Sequence, residues 1–171
     1  DRGNRLYFAG RREQNPSKPM PSDANSTMRM SYGTIKGYSP ADAVEYDYFT
    51  TSRGILEKNN PESTEFNVFP SFLELIKKGD WGRWADKKDG KLHVAFISTN
   101  DITGGNSGSP VFDKNGRVFG LAFDGNWEAM SGDIEFEPNL QRTIVVDIRY
   151  VLFTIDKWGK CSRLIDEMTI K

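Results

Sequence analysis

Hydrophobic residues alternate with polar ones in the first part of the chain and change to helical spacing near residue 70. Every second residue is apolar in much of STMRMSYGTI, which begins at Ser26, and of AVEYDYFT, which begins at Ala43. Successive side chains of a strand point to opposite faces, so this alternation predicts two half-buried antiparallel strands. In PSFLELIKKG at 70–79, apolar residues recur at three- and four-residue spacing between a proline and a glycine, which predicts a helix.

The second half of the chain contains several short apolar segments bounded by polar turns. KLHVAFIST, SPVFD, RVFGLAF and RTIVVD each predict a strand. DKNG at 113–116 separates two of them and has the Asn-Gly pair of a tight hairpin. The apolar residues of DIRYVLFTIDKWG then form one stripe, which predicts a C-terminal helix over about 148–158 that packs back on the sheet.

The two ends of the chain differ in character. Residues 1–25 are polar and contain three closely spaced prolines, which predicts an extended arm or linker with a short helix around Leu6 to Phe8. Residues 26–171 predict one mostly β domain, a barrel of short strands with a C-terminal helix and one or two short helices.

Composition narrows the classes of function. The 171 residues include 23 Lys and Arg against 24 Asp and Glu, so charge gives no reason to expect nucleic acid or an anionic membrane as partner. No stretch approaches the ~20 apolar residues of a membrane span. The single cysteine, Cys161, excludes an internal disulfide and a cysteine-based zinc site, and its neighbourhood predicts a small buried hydrophobe. We find no metal cluster and no cofactor motif. A start at Asp1 without a signal peptide predicts excision from a longer protein.

The segment TGGNSGSP at 103–110 is the strongest candidate for chemistry. Three glycines surround Ser107 between two predicted strands, and glycines allow positive φ and let neighbouring N–H groups point at one acceptor. That is what an oxyanion hole requires, here from the amides of Gly105 and Ser107, with the serine as nucleophile at a sharp turn. A glycine-rich turn without chemistry is the plain alternative, and a phosphate cradle is disfavoured because the lysine that should follow the glycines is missing.

The wider context of this serine resembles a known family. GGNSGSPV, the DKNG hairpin and RVFGLAF resemble the nucleophile region of chymotrypsin-like serine peptidases. TNDITGGNSGSPV, GLAFDGNWEAMSGD and PSDANSTMRMSYGTIKGYSP are similar to the bacterial dipeptidyl-peptidase 7 and dipeptidyl-peptidase 11 family, from about Arg5 to Met168. The resemblance implies a chymotrypsin-like double β-barrel with an inserted helical domain. The chain is expected to be the C-terminal portion, the second barrel, of an enzyme that removes dipeptides from free peptide N-termini.

A serine nucleophile needs a histidine base and an orienting carboxylate. His93, Asp101 and Ser107 occur in the chain order of a chymotrypsin-like triad, but His93 lies within a predicted strand, and such triads take their His and Ser from different barrels. We therefore expect a structural role for His93. The resemblance implies that the catalytic His and Asp lie in the missing N-terminal part, so the fragment alone is expected to be inactive.

Two residues at the end of RVFGLAFDG concern the substrate. Asp124 fits capture of the substrate's N-terminal amine or of a Lys or Arg side chain, and a solvated loop acid is the ordinary alternative. The resemblance favours the amine. It also implies that an Arg at the position of Gly125 marks the branch that prefers Asp or Glu before the cut, so Gly125 predicts a hydrophobic preference. Trp127 fits either a pocket wall or plain core.

Competing functions remain open at this point. They are a trypsin-like or glutamyl endopeptidase barrel, and a non-catalytic β-barrel binding module in which the glycine loop is a mere turn. The expected partners are peptides with free N-termini and the missing N-terminal half of the same enzyme. An apolar face left bare by the missing barrel predicts self-association, including a homodimer. The family resemblance implies a periplasmic or cell-surface location.

Overall fold

The N-terminal part of the chain is helical rather than extended. The computed structural model describes residues 2–18, 20, 26, 28–132 and 134–171, and it divides into two compact units, Asp1–Met30 and Ser31–Lys171. In the first unit, α1 spans Arg2–Gln14. The prediction of an extended arm with a short helix is wrong over these residues, because the helix formers Arg, Leu, Glu and Gln continue the helix until it ends just before Pro16. Residues 21–25 of the predicted arm lie outside the described residues.

The second unit contains two antiparallel sheets and several helices. The smaller sheet pairs β1 with β2, and the larger has the strand order β3-β4-β7-β6-β5. The strands are β1 (Tyr38–Ala41), β2 (Val44–Tyr46), β3 (Phe49–Thr51), β4 (His93–Ser98), β5 (Pro110–Phe112), β6 (Val118–Gly125) and β7 (Thr143–Asp147). The helices are α2 (Ser52–Lys58), α3 (Pro70–Lys78), α4 (Ile148–Phe153) and α5 (Ser162–Asp166), with 3₁₀ turns at Gly82–Trp84 and Trp127–Ser131.

The strand predictions for the second half of the chain are confirmed. The four apolar segments become β4 to β7, and DKNG forms the hairpin between β5 and β6. In that hairpin the Asp113 carboxylate accepts the N–H groups of Asn115 and Arg117 at 2.8 and 3.0 Å. Gly116 takes a φ of 73°, a left-handed conformation that suits glycine. These hydrogen bonds and the conformation of Gly116 therefore set the register of the β5–β6 hairpin.

The strand predictions for the first part are only partly right. Residues 28–34 form no strand, and Met30 and Tyr32 are 82% and 87% exposed. A strand needs a hydrogen-bonded neighbour, and within the described part of this segment only Ile35 makes a bridge, to Ser98. The second alternating segment does include β2, which pairs with β1, but its residues are exposed rather than half buried.

The mostly β fold class is confirmed, whereas the chymotrypsin-like barrel is not. The five-stranded sheet is open in the part of the chain that the structure describes, with β3 and β5 as its edges. In the same described segments, no helix has both the length and the apolar character needed to cross a membrane.

The core lies where the helices pack on one another and on the sheet. α3 confirms the predicted helix: Phe72 and Ile76 are buried, and Gly79 ends it in a left-handed conformation with φ 67°. The predicted C-terminal helix is also confirmed as α4, which continues as a π-helical turn over Thr154–Trp158. Cys161 is exposed, so its prediction as a buried hydrophobe is wrong, because the chain turns outward between that turn and α5. The buried cluster consists of Phe72, Ile76, Trp84, Leu92, Leu152, Phe153 and Ile165.

Candidate active site

The loop that contains Ser107 is fixed to the neighbouring hairpin by backbone hydrogen bonds. Gly108 donates its N–H to the carbonyl of Ala122 at 2.7 Å, and Ala122 donates to the carbonyl of Ser109 at 2.8 Å. On the other side of the serine, the Asn106 side chain accepts the N–H of Thr103 at 3.1 Å. Ser107 is thus held at the tip of a braced turn, with an exposed side chain whose hydroxyl donates to the Phe123 carbonyl at 3.4 Å.

Two amide groups next to the hydroxyl are available to an external acceptor. Within the described residues, the N–H groups of Gly105 and Ser107 donate to no other group. Gly105 has a φ of 100° and Gly108 a φ of 82°, conformations that residues with a side chain rarely adopt. The glycines therefore permit the turn, and the turn leaves the two predicted oxyanion-hole donors unused inside the chain.

Asp124 and Gly125 lie at the end of β6, on the strand that anchors the serine loop. Asp124 is exposed, and its carboxylate accepts the Gly125 N–H at 2.8 Å. Gly125 stands opposite Thr143 on β7, beyond an irregularity in the ladder between Ala122 and Asp124. The carboxylate predicted to bind an amine and the glycine predicted to leave space therefore lie on the strand that contains Phe123, the partner of the Ser107 hydroxyl.

The Asn126 side chain fixes the backbone just after β6 through hydrogen bonds. Its side-chain amide donates to Glu128 Oε2 and to the Leu140 carbonyl, both at 2.8 Å. Its carbonyl oxygen Oδ1 accepts the Arg142 N–H at 2.8 Å. The 3₁₀ turn that follows places Trp127 on the surface, 82% exposed, which excludes the core alternative for this residue in the isolated chain.

Arg142 holds two stretches of backbone together beneath this turn, residues 36–37 and 138–141. Nε donates to the Lys36 carbonyl, Nη1 to those of Pro138 and Gln141, and Nη2 to those of Gly37 and Asn139, at 2.7 to 3.2 Å. The guanidinium also lies over the Tyr38 ring, 5.4 Å from its centroid. Burial lowers the pKa of Arg142 from its usual value. The Arg142 side chain therefore stabilises the contact between residues 36–37 and residues 138–141.

His93 lies within a strand, as expected from the sequence. It lies buried at the start of β4, its ring stacks on Phe49 with centroids 4.1 Å apart, and its Nε2 bonds to Asp89 Oδ2 at 3.0 Å. This hydrogen bond lowers the pKa of Asp89. β7 separates β4 from β6, the strand to which the Ser107 loop is bound. His93 therefore contacts Phe49 of β3 and Asp89, on the other side of β7 from the strand that holds the Ser107 loop.

Arg149 joins two carboxylates near this histidine. It bonds to Asp86 Oδ2 at 2.5 Å and to Asp147 Oδ2 at 2.6 Å, while Asp147 also accepts the Arg149 N–H as the N-cap of α4. The Arg149 hydrogen bond lowers the pKa of Asp86 to about 2. Asp86, Asp89 and His93 each offer one ligand atom within 4.8 Å of the others, but Arg149 and the His93–Asp89 bond already account for this cluster.

Sequence reasoning found the motif residues and missed those that brace them. Ser107, Gly105, Asp124 and Gly125 stand in short strings that the chain itself displays. Asn126 and Arg142 gave no comparable signal, because their bonds join segments far apart in the sequence.

Comparison with known proteins identifies the family of the chain. The family model described as Peptidase S46 matches residues 1–170. Dipeptidyl-peptidase 7 of Porphyromonas gingivalis is 65% identical over 170 residues, which cover 99% of this chain and 24% of that protein. The Asp/Glu-specific dipeptidyl-peptidase of the same organism is 49% identical over 169 residues, which cover 99% of this chain and 23% of that protein. The chain therefore spans about a quarter of the length of these relatives.

Solved structures match over nearly the whole chain as well. DPP11 of Porphyromonas endodontalis in complex with the dipeptide Arg-Glu superimposes with a TM-score of 0.85 at 46% identity, covering 94% of this chain and 23% of that one. Its complex with Arg-Asp gives a TM-score of 0.87 at 45% identity, covering 96% and 24%. With the family model matched over 1–170 and close relatives covering nearly all of its residues, the chain belongs to the peptidase S46 family.

Proposed function

We propose that the chain is the C-terminal part of a serine-type dipeptidyl-peptidase that releases dipeptides from free peptide N-termini, with a hydrophobic residue preferred before the cut. The observation that supports this most is the Ser107 turn, an exposed hydroxyl beside two amides without a partner among the described residues. The names of the relatives support the reaction class.

In the proposed reaction, Ser107 Oγ attacks the carbonyl carbon of the substrate's second residue. Its proton passes to a histidine of the N-terminal part and then to the leaving amine as the C–N bond breaks. The negative charge on the carbonyl oxygen is stabilised by the N–H groups of Gly105 and Ser107. Water then hydrolyses the acyl-enzyme and frees the dipeptide. The five-stranded sheet belongs, in this proposal, to the second barrel of a chymotrypsin-like fold.

The substrate's position follows from the end of β6. The Asp124 carboxylate pairs with the positive α-amine, which limits cleavage to two residues from the N-terminus. Gly125 leaves the pocket for the second side chain without a cation. The 171-residue chain alone is expected to be inactive, because its one histidine, His93, is engaged with Asp89 and Phe49. We also propose a periplasmic or cell-surface location, which rests on the family resemblance. A homodimer is a further proposal, which rests on the exposed apolar face of the sheet.

The test uses the full-length protein that contains this chain, compared with its Ser107→Ala variant. The substrates are dipeptidyl fluorogenic amides with Leu, Phe, Asp or Lys next to the reporter, each with a free and a blocked N-terminus. We expect cleavage of free-amine Leu and Phe substrates and a loss of about 10³-fold or more in the variant. Ser109→Ala, two residues away, is the matched control and should keep most of the activity.

Each other outcome contradicts a stated part of the proposal. Equal cleavage of blocked substrates indicates an endopeptidase and removes the role of Asp124. A preference for Asp excludes the hydrophobic pocket. If neither the wild-type protein nor a serine-directed phosphonate probe shows reaction at Ser107, a binding module explains the fold better.

A further inference from the structure

Gly125 is required for space rather than for backbone conformation. Its φ lies outside the positive range adopted by Gly105 and Gly108, so an L-residue fits this backbone. It pairs with Thr143 as an ordinary strand residue. The reason for glycine at this position therefore has to be a neighbouring atom.

That neighbouring atom is the methyl group of Ala129. A Cβ added at Gly125 would lie 2.9 Å from the Ala129 Cβ, and the next neighbour, the Arg142 carbonyl oxygen, is 4.0 Å away. Carbon atoms in contact normally lie about 3.5–4.0 Å apart, so the two side chains cannot share this space without a shift. One methyl group, on the turn that follows β6, thus opposes any side chain at position 125 unless one of the two segments shifts.

Ala129 has little freedom to move aside. Its N–H donates to the Asn126 carbonyl at 2.9 Å, and its own carbonyl accepts the Gly132 N–H at 2.9 Å. Asn126 is itself fixed by the bonds to Glu128, Leu140 and Arg142 described above. The cavity that Ala129 and Gly132 help to line measures only about 10 Å³, room for one water at most. The turn is therefore braced at both ends.

We infer that Ala129 is a second specificity-determining residue, whose methyl group keeps position 125 free of a side chain and the adjacent pocket apolar. This inference rests on the proposed function. An arginine at 125 has the planar fork that binds a carboxylate, and it can enter this space only when residue 129 lacks its methyl group. Positions 125 and 129 then determine the substrate class together.

The contact itself is tested without any substrate, by urea unfolding of the full-length protein. We expect Gly125→Ala to lower the unfolding midpoint, and Ala129→Gly to restore most of the loss when the two are combined. Gly54→Ala is the matched control, because a Cβ there meets nothing within 4 Å, and its effect should add to that of Ala129→Gly. Additive effects for the 125 and 129 pair would overturn the steric part of the inference.

The specificity role is tested with the fluorogenic dipeptides. We expect Gly125→Arg alone to reduce kcat/KM for Leu and Phe substrates about tenfold or more while gaining little on Asp and Glu. With Ala129→Gly added, cleavage of Asp and Glu substrates should rise about tenfold over the single variant, whereas Ala129→Gly alone keeps the hydrophobic preference.

The urea and fluorogenic-dipeptide experiments distinguish failure of the steric contact from failure of the specificity role. A full switch to Asp and Glu by Gly125→Arg alone, or no gain in the double variant when it unfolds like the wild type, would overturn the role of Ala129. If the wild type releases no dipeptides, the proposed function and the specificity role fall together, and the urea cycle still decides whether the steric pair exists.

Discussion

At the residue scale, site residues that stand in a short characteristic string could be predicted from the sequence, and residues that act through contacts in the fold could not. Ser107 and Gly105 could be predicted because a turn with free amides needs glycines around one serine, all within a few positions. Asn126 and Arg142 could not, since each acts through contacts with another stretch of chain that no short string displays. Ala129 could not either, because its close approach to Gly125 depends on how the turn after β6 folds back. Polar side chains with buried backbone partners are invisible to pattern analysis.

Arg142 provides the sharpest stability test at this scale. Arg142→Met leaves five carbonyl bonds unmade, and we expect it to lower the free energy of unfolding by about 3 kcal/mol. Arg142→Lys keeps the charge but has three donors without the planar fork, so it should lose a large share of that stability too. Urea unfolding measures both variants. Arg83→Lys, at an exposed arginine that lies over the Trp84 ring, is the control and should change little. A fully stable Arg142→Lys variant would mean that charge alone matters.

At the element scale, amphipathic helices and short turns follow directly from sequence, whereas strands need a partner. α3 was predictable because its apolar stripe and its closing glycine are both local. The alternation around Met30 was misleading, because a pattern of period two does not say whether another strand lies alongside. The 13-residue helix α1 does not follow from the pattern, because the nearby prolines favour an extended arm over the whole segment.

The ion pairs of Arg149 tie the loop after Trp84 to the junction of β7 and α4, and this connection depends on pH. The pKa of Asp86 is lowered to about 2 from an unfolded value of about 3.9, so its stabilisation is present above pH 4 and is lost as pH falls through 2. Asp86→Asn should therefore cost about 1–2 kcal/mol at pH 7 and progressively less toward pH 2. Unfolding in urea at pH 7, 4 and 2.5 measures this. Glu74→Gln, at an exposed pair, is the control. A cost independent of pH would exclude the charged interaction.

At the scale of the whole molecule, the mostly β class and the four strands β4 to β7 followed from the sequence, but the barrel did not. An open sheet satisfies the same alternation as a closed one, because closure depends on whether the two edge strands pair and not on which residues alternate. The resemblance supplied the barrel, and local patterns cannot decide between the two forms.

The open sheet exposes apolar side chains that we expect the rest of the full-length protein to cover. Phe112 and Val118 face each other across the β5–β6 hairpin and are 55% and 42% exposed. The 171-residue chain should therefore self-associate as its concentration rises, and Phe112→Ser with Val118→Thr should reduce this. Dynamic light scattering measures the particle size. Leu164→Ser with Met168→Thr, at two other exposed residues, is the control. If the unmodified 171-residue chain stays monomeric at high concentration, the expectation is contradicted.

The strand order also has a consequence for how the chain is made. Until β7 is synthesised, the large sheet exists as two separate pieces, β3 with β4 and the β5–β6 hairpin that anchors the Ser107 loop. Val146 of β7 then stands opposite Ala95 on one side and Leu121 on the other, joining them. A ribosome therefore releases the Ser107 turn before the strand that fixes its distance from β4, and the five-stranded sheet is completed only when β7 docks between its neighbours.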